Sequence, residues 1–258
     1  MILSTRSSLA LAATLGAFAL NAHAVSPAGD NITYDVDDET FEGYFSSAEG
    51  EARGTVLIIH DWVGLTDYER RRADMIAERG FDAFAVDLYG QGNRPDTVED
   101  RKAETARLYE DRERMRELTL AGLAEARAQG AAEPTVVMGY CFGGAVVLEI
   151  ARSEEADDVV GYASFHGGLA TPEGQEWPDD VGPILIAHGG ADESIPMSQV
   201  ATLSEELEAA NATYEIEVYS GAPHAFTVFG NDSYQERADK KSWSAFLDLL
   251  DEALGEAL

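Results

Sequence analysis

Thr135-Val136-Val137-Met138-Gly139-Tyr140-Cys141-Phe142-Gly143-Gly144, followed by Ala145-Val146-Val147-Leu148-Glu149-Ile150, decides how this chain is read. The β-branched run at 135–138 predicts a buried strand, and the apolar run after Gly144 predicts the start of a helix. Between them lies Gly-x-Cys-x-Gly, a tight turn whose glycines let strand and helix approach closely. Such a turn lifts its central side chain above the sheet edge at a helix N-terminus, where the dipole favours a thiolate. Taken alone, the same hexapeptide also suits a buried structural cysteine beside a glycine-rich turn.

Around this unit strands and helices alternate. Thr55 to His60 and Phe81 to Leu88 read as strands. They flank a helix that the capping box Thr66-Asp67-Tyr68-Glu69 opens and Gly80 closes. Residues 97–128 read as helical in two pieces. Strands are expected at Val159 to Phe165, Pro183 to Ala187 and Tyr214 to Tyr219, and helices at Met197 to Ala210 and Glu236 to Leu254. In the last helix Trp243, Phe246, Leu247, Leu250 and Leu254 recur at helical spacing, so they belong to the core. Ile32 to Val36 and Phe41 to Phe45 suggest an antiparallel edge hairpin. The pattern predicts an α/β fold, a mostly parallel sheet with helices on both faces and functional residues at the C-terminal strand ends.

Residues 1–24 read as a secretory signal peptide: Arg6, the apolar run Leu9 to Leu20, then the cleavage pattern Ala22-His23-Ala24. Residues 25–258 are then one exported domain, periplasmic or secreted, cut after Ala24. No later apolar run is long enough to span a bilayer. Cys141 is the only cysteine, so no internal disulfide forms and the thiol is either buried or used. Acidic residues number 48 against 18 basic ones, a net charge of −30 spread along the chain. That field repels nucleic acid and anionic membranes, so neither is expected as a partner. It implies a halophilic setting in which salt screens the self-repulsion, although an acidic protein from ordinary salt shares the composition. A monomer acting on a small molecule is the expectation.

A thiol nucleophile needs a base, and the base needs an orienting acid. Ile184-Leu185-Ile186-Ala187-His188-Gly189-Gly190-Ala191-Asp192 is a strand, a glycine turn and a carboxylate. Ser220-Gly221-Ala222-Pro223-His224 brings a histidine after a strand and a Gly-Pro loop. The order Cys141, Asp192, His224 suits nucleophile, acid and base, each after an expected strand. Asp192 equally suits a helix N-cap before Pro196. His60, His166 and His188 lack His-x-x-x-His spacing, so no metal is expected, and no Gly-x-Gly-x-x-Gly or phosphate loop implies a nucleotide cofactor. His166, at a strand end, suits either a pocket wall or a histidine satisfied by nearby backbone.

These motifs together resemble the dienelactone hydrolase family, a cysteine branch of the α/β-hydrolases. The resemblance runs from about Thr55 to the C-terminal helix. It rests on His60-Asp61-Trp62-Val63-Gly64, Asp87-Leu88-Tyr89-Gly90, the Cys141 turn, His188 to Asp192 with Ile195-Pro196, and Gly221-Ala222-Pro223-His224-Ala225-Phe226. It implies an α/β-hydrolase fold, no cofactor, and cleavage of an ester or lactone through an acyl-thioester. It casts Cys141 as nucleophile, His224 as base and later acid, Asp192 as the orienting acid, and the N–H groups of Phe142 and Trp62 as the oxyanion hole. Asp61 falls where the family carries a thiol-activating glutamate, one methylene longer. Tyr89, Arg94, Tyr140, His166 and Phe226 are expected to line the substrate pocket. Dienelactone-cleaving members clamp the substrate carboxylate with two arginines, where this chain has Gln91 and Val228. A more neutral ester or lactone is therefore expected than dienelactone itself. The alternative is a non-catalytic binder of small lactones or esters on the same fold. A peroxide-sensing thiol is disfavoured by the lack of a resolving cysteine.

Overall fold

Residues 28–179 and 181–255 are described by a computed structural model. The expected signal segment lies outside them. β1 (Asp30–Val36) and β2 (Glu39–Ser46) form the expected edge hairpin, turned at Asp37 with a left-handed φ of 54°. β3 (Thr55–Ile59), β4 (Asp82–Val86), β5 (Thr135–Tyr140), β6 (Val159–Phe165), β7 (Ile184–Gly189) and β8 (Tyr214–Tyr219) complete one eight-stranded sheet. Its order is β1-β2-β4-β3-β5-β6-β7-β8, antiparallel only at β1–β2 and β2–β4. The chain steps from β3 outward to β4, then returns past β3 to β5. That reversal opens a crevice beyond the carboxyl ends of β3 and β5, where ligands bind in open α/β sheets. The loop carrying Asp61 and Trp62 follows β3, and Cys141 follows β5, so both meet there.

Alternation along the strands feeds two cores. Leu57, Ile59 and Val137 face one side, and Val56, Ile58, Val136 and Met138 the other. α2 (Val98–Glu110), α3 (Arg112–Ala128), α4 (Phe142–Ser153) and α5 (Met197–Ala209) cover the first side through Leu108, Met115, Val146 and Leu203. α1 (Asp67–Ala77) and α6 (Glu236–Leu254) cover the second through Ile76, Trp243, Phe246 and Leu250. Each such fully buried aliphatic or aromatic side chain contributes about 1.5–3 kcal/mol. The capping box closes as the sequence predicts: Glu69 Oε2 accepts the Thr66 N–H at 2.8 Å. The expected break within 97–128 falls at Asp111, which ends α2 and caps α3 by accepting the Arg114 N–H at 3.0 Å. β4 stops at Val86 rather than Leu88. Asp87 instead turns its carboxylate onto the N–H groups of Tyr89 (3.0 Å) and Glu42 (3.3 Å). β7 runs two residues past the expected Ala187 because His188 and Gly189 pair with Val218 and Tyr219. Among the described residues no helix is long and apolar enough to cross a membrane.

Candidate active site

Cys141 sits between β5 and α4 with φ 52° and ψ −111°. The strain of the turn therefore falls on the cysteine itself, a conformation that non-glycine residues rarely adopt. The flanking glycines serve close approach. A Cβ on Gly139 would stand 2.3 Å from the Gly143 carbonyl oxygen, and one on Gly143 would stand 2.3 Å from that of Ile59. Helix, β5 and β3 are thus packed backbone to backbone beneath the thiol. The Cys141 N–H is fixed to Phe165 O at 3.0 Å, and its side chain remains partly open to solvent.

Three strand ends bring Cys141, His224 and Asp192 together. His224 Nε2 lies 3.1 Å from Cys141 Sγ, and Nδ1 lies 2.8 Å from Asp192 Oδ2. The other carboxylate oxygen, Oδ1, accepts the N–H groups of Ser194 (2.8 Å) and Ile195 (3.0 Å). Asp192 is therefore not the N-cap of α5, a position that Pro196 takes without a side-chain cap: one carboxylate oxygen ties the turn ahead of that helix, and the other faces the histidine. Burial alone would raise the Asp192 pKa, but the His224 and backbone hydrogen bonds outweigh it and hold the carboxyl below its ordinary range. Burial alone would lower the His224 pKa. The hydrogen bonds to Asp192 and Cys141 outweigh it and push the value up to about 10. Ala225, the next residue, takes a left-handed φ of 61°.

A cavity of about 550 Å³ opens over the thiol, a size suited to a small organic ligand. Trp62, Val63, Tyr109, Phe142, Ile195 and Val228 make a largely apolar wall. Phe142 and Trp62 flank Cys141 there, and Phe142 opens α4, whose first N–H groups have no intrahelical acceptor. Asp61 lines the cavity too. Its Oδ1 accepts the Val63 N–H at 2.7 Å within its own loop, whereas the hydrogen bond of the thiol goes to His224. Burial pushes the Asp61 carboxyl pKa up, against the pull of the Val63 N–H, Arg101 and His224. His60 braces this loop from below as a neutral ring, its Nδ1 2.6 Å from Asp61 O and its Nε2 accepting the Leu88 N–H at 3.1 Å. A larger hollow of about 690 Å³, beside Asp74 and Glu78, has no histidine or cysteine in its lining. Among the described residues no cluster of His, Cys, Asp and Glu could hold a metal ion.

The expected pocket residues need correction, because all five lie outside the cavity wall. Tyr140 precedes the nucleophile, so strand alternation sends it to the α1/α6 core against Tyr68. Phe226 is buried in that core beside Tyr219. Tyr89 packs edge-on to His60 and props the Trp62 carbonyl from behind. Arg94 turns away to the carbonyls of Leu65 and Asn93 and lines a separate surface hollow with Glu42. His166 lies behind His224, with ring centroids 5.2 Å apart. Of the two positions lacking arginine, Val228 is in the wall and Gln91 is an exposed residue near Thr33. Among the lining residues that sequence reading missed are Arg101, Thr105 and Tyr109. They follow at i, i+4 and i+8 on α2, a single helical stripe that is visible in the sequence. Arg101 rests over the Trp62 ring at 5.6 Å and pairs with no carboxylate among the described residues.

A model of the dienelactone hydrolase family matches residues 41–254. A Salmonella typhimurium protein named "Putative carboxymethylenebutenolidase" is 27% identical over 210 residues, covering 78% of this chain and 78% of that protein. A dienelactone hydrolase-like promiscuous phosphotriesterase from metagenomic libraries superposes with a TM-score of 0.77 at 24% identity, over 87% of this chain and 98% of that one. An esterase from the Planctomycetes species Thermogutta terrifontis superposes with a TM-score of 0.66 at 18% identity, over 90% of this chain and 95% of its own. At these identities the two structural likenesses are likenesses of fold.

Proposed function

The chain belongs to the dienelactone hydrolase family and hydrolyses ester or lactone bonds; from that premise we propose that it does so through Cys141, His224 and Asp192. The observation that carries the reading is the run of contacts from Sγ through His224 to Asp192, at 3.1 and 2.8 Å, beneath an apolar-walled cavity. Cys141 gives its proton to His224 and its sulfur attacks the carbonyl carbon. The oxyanion that forms is held by the N–H groups of Phe142 and Trp62. The C–O bond then breaks, and His224 protonates the departing oxygen, which in a lactone stays tethered to the acyl group. Water, deprotonated by His224, releases the acid from the thioester and restores the thiol. Asp192 keeps the proton of His224 on Nδ1, so that Nε2 faces the sulfur. Asp61 acts on the thiol electrostatically, from across the cavity wall.

The apolar wall, with Val228 in it and Gln91 outside it, supports an uncharged ester or lactone of modest size as substrate. The segment 1–24 supports export, with Val25 as the first mature residue, and the acidic surface supports function in salt as a monomer. N-terminal sequencing of the exported protein tests the cleavage, and scattering-based mass in salt tests the monomer. The chemistry is tested with p-nitrophenyl esters of graded chain length and simple lactones, comparing wild type with Cys141→Ala. The expected result is a product burst confined to wild type and a preference among chain lengths. Undiminished turnover by Cys141→Ala would overturn the reading, and saturable binding without any turnover would favour a binding protein.

A further inference from the structure

Behind the candidate base lies a buried polar chain that the reaction above does not use. Arg72 of α1 is almost fully buried and forms an ion pair with Asp239 of α6. Its guanidinium is surrounded by the rings of Phe229, Trp243 and Tyr68, at 4.3, 4.9 and 5.3 Å. From there Nη2 donates to Thr227 O at 3.0 Å, and Nε donates to Tyr68 Oη at 3.3 Å. Tyr68 Oη lies 2.8 Å from Thr227 Oγ1, and Thr227 Oγ1 lies 2.8 Å from His166 Nε2. Thr227 follows His224 by three residues, so the chain ends on both the histidine loop and the ring beside it.

The chemistry of the donors gives this chain a direction. An arginine only donates, so the Tyr68 oxygen accepts from it and sends its own proton to Thr227. A buried hydroxyl proton without an acceptor is unfavourable, so Thr227 in turn donates to His166 Nε2. His166 must then carry its proton on Nδ1, the nitrogen that has no hydrogen-bond partner among the described residues. Its ring stands against that of His224 at 5.2 Å and 65°, nearly edge to face. His166 also adopts a left-handed φ of 42°. Next to it, a Cβ on Gly167 would come within 2.8 Å of the Gly144 backbone in the nucleophile's own helix. The turn holding His166 is therefore locked to the turn holding Cys141. We propose that His166 is a positioning residue, fixed as the neutral Nδ1–H tautomer by the Arg72–Tyr68–Thr227 chain, and that it sets the ring plane of His224 toward Cys141.

The groups facing His166 are Tyr68 and Arg72 from α1, Tyr140 at the end of β5, Asp192 after β7 and His224 after β8. Burial, then the charge of His224, holds its pKa well below the ordinary histidine value, and the pull of Asp192 is outweighed. A ring kept neutral here adds no second cation beside the His224 imidazolium.

The proposal rests on His224 being the base of the reaction, and its test separates the two. Nitrogen-15 NMR of the imidazoles, with the His166 signals assigned through His166→Gln, reads the tautomer without reference to activity. Thr227→Val keeps the shape and removes the hydroxyl, Thr227→Ser restores it, and Tyr68→Phe cuts the chain one step earlier should the valine variant not fold. Expected in wild type is an Nδ1–H ring that does not titrate between about pH 5 and about pH 9. Expected in Thr227→Val and Tyr68→Phe is a kcat lower by about tenfold at unchanged KM, with a displaced acid limb of the pH profile. Thr227→Ser should recover both. An Nε2–H or titrating His166 in wild type would overturn the proposal. So would full kcat and an unshifted profile in the folded Thr227→Val or Tyr68→Phe variant. Absence of a Cys141-dependent burst in wild type would instead strike the hydrolytic reading beneath it.

Discussion

Asparagine at position 192 should damage catalysis more than alanine, while leaving the protein the more stable of the two. Asp192 Oδ1 accepts two backbone N–H groups, from Ser194 at 2.8 Å and Ile195 at 3.0 Å. In Asp192→Asn the carbonyl oxygen keeps that place, so the amide NH₂ turns to His224 Nδ1. Nδ1 must then accept, and the ring proton moves to Nε2, facing Cys141. A base locked in the wrong tautomer loses about ten-thousand-fold in rate. Asp192→Ala frees the ring to choose its tautomer and removes one charge-assisted hydrogen bond of about 1.5–3 kcal/mol. That loss is about 10- to 150-fold in rate. Stability runs the other way, because alanine leaves the two N–H groups unaccepted, which costs about 0.5–2 kcal/mol as for a lost cap. The assay is kcat/KM on one p-nitrophenyl ester for the three proteins, with thermal melts alongside. If the asparagine variant were the more active, the tautomer argument would fail.

Other expectations concern the frame of the site. Glu149 is 1% exposed and accepts Arg112 and Arg116 at 2.8 Å each and Gln175 at 2.8 and 3.0 Å. Glu149→Ala should destabilise by about 3–5 kcal/mol in urea unfolding, and a loss below about 1 kcal/mol would show the cluster to be dispensable. Burial alone would raise the Glu149 pKa, but Gln175 and the arginines outweigh it and hold it below the ordinary value of 4.5. Its contribution is then full above the unfolded-state pKa and fades as pH falls through the folded one, so Glu149→Gln should flatten the acid side of the stability curve. His224 behaves oppositely. Its folded pKa of about 10 exceeds the model-peptide 6.5, so its contribution is full below about pH 6.5 and lost on the way to pH 10. Wild type should lose more thermal stability than His224→Gln over that span, and parallel curves would contradict the pairing. Gly143→Ala would press a Cβ to 2.3 Å from the Ile59 carbonyl oxygen. It should cost about 3 kcal/mol or prevent folding, and a native-like melt would show that the backbone can yield.

What could be read from the sequence was whatever is local. The Cys141 turn spans a strand, two glycines and a helix start within a few residues, so its geometry follows from its own composition. The parallel character of β3 through β8 was legible because each pair is separated by a helical pattern or a long connection, whereas the β4-β3-β5 reversal was not. Asp192 resisted a single reading because its two oxygens do two jobs. The pocket was illegible for a different reason. Tyr140, Phe226 and Tyr89 are neighbours in sequence of reacting or loop residues, but side-chain direction follows strand alternation and loop packing rather than proximity along the chain. All three are buried behind the site. Arg101, Thr105 and Tyr109 show their common face in the sequence, whereas the destination of that face, over the crevice beside Trp62, depends on how α2 docks.

The central claim is that the acyl group passes through the sulfur of Cys141. The most direct measurement is rapid quenching of the enzyme with p-nitrophenyl acetate, followed by digestion and mass spectrometry of the Cys141 peptide. The account predicts one acetyl group per chain on Cys141, formed at least as fast as turnover, labile to hydroxylamine and absent from Cys141→Ala. Full turnover with that peptide unmodified at every time point, or an acetyl group carried elsewhere and chased into product, would contradict it.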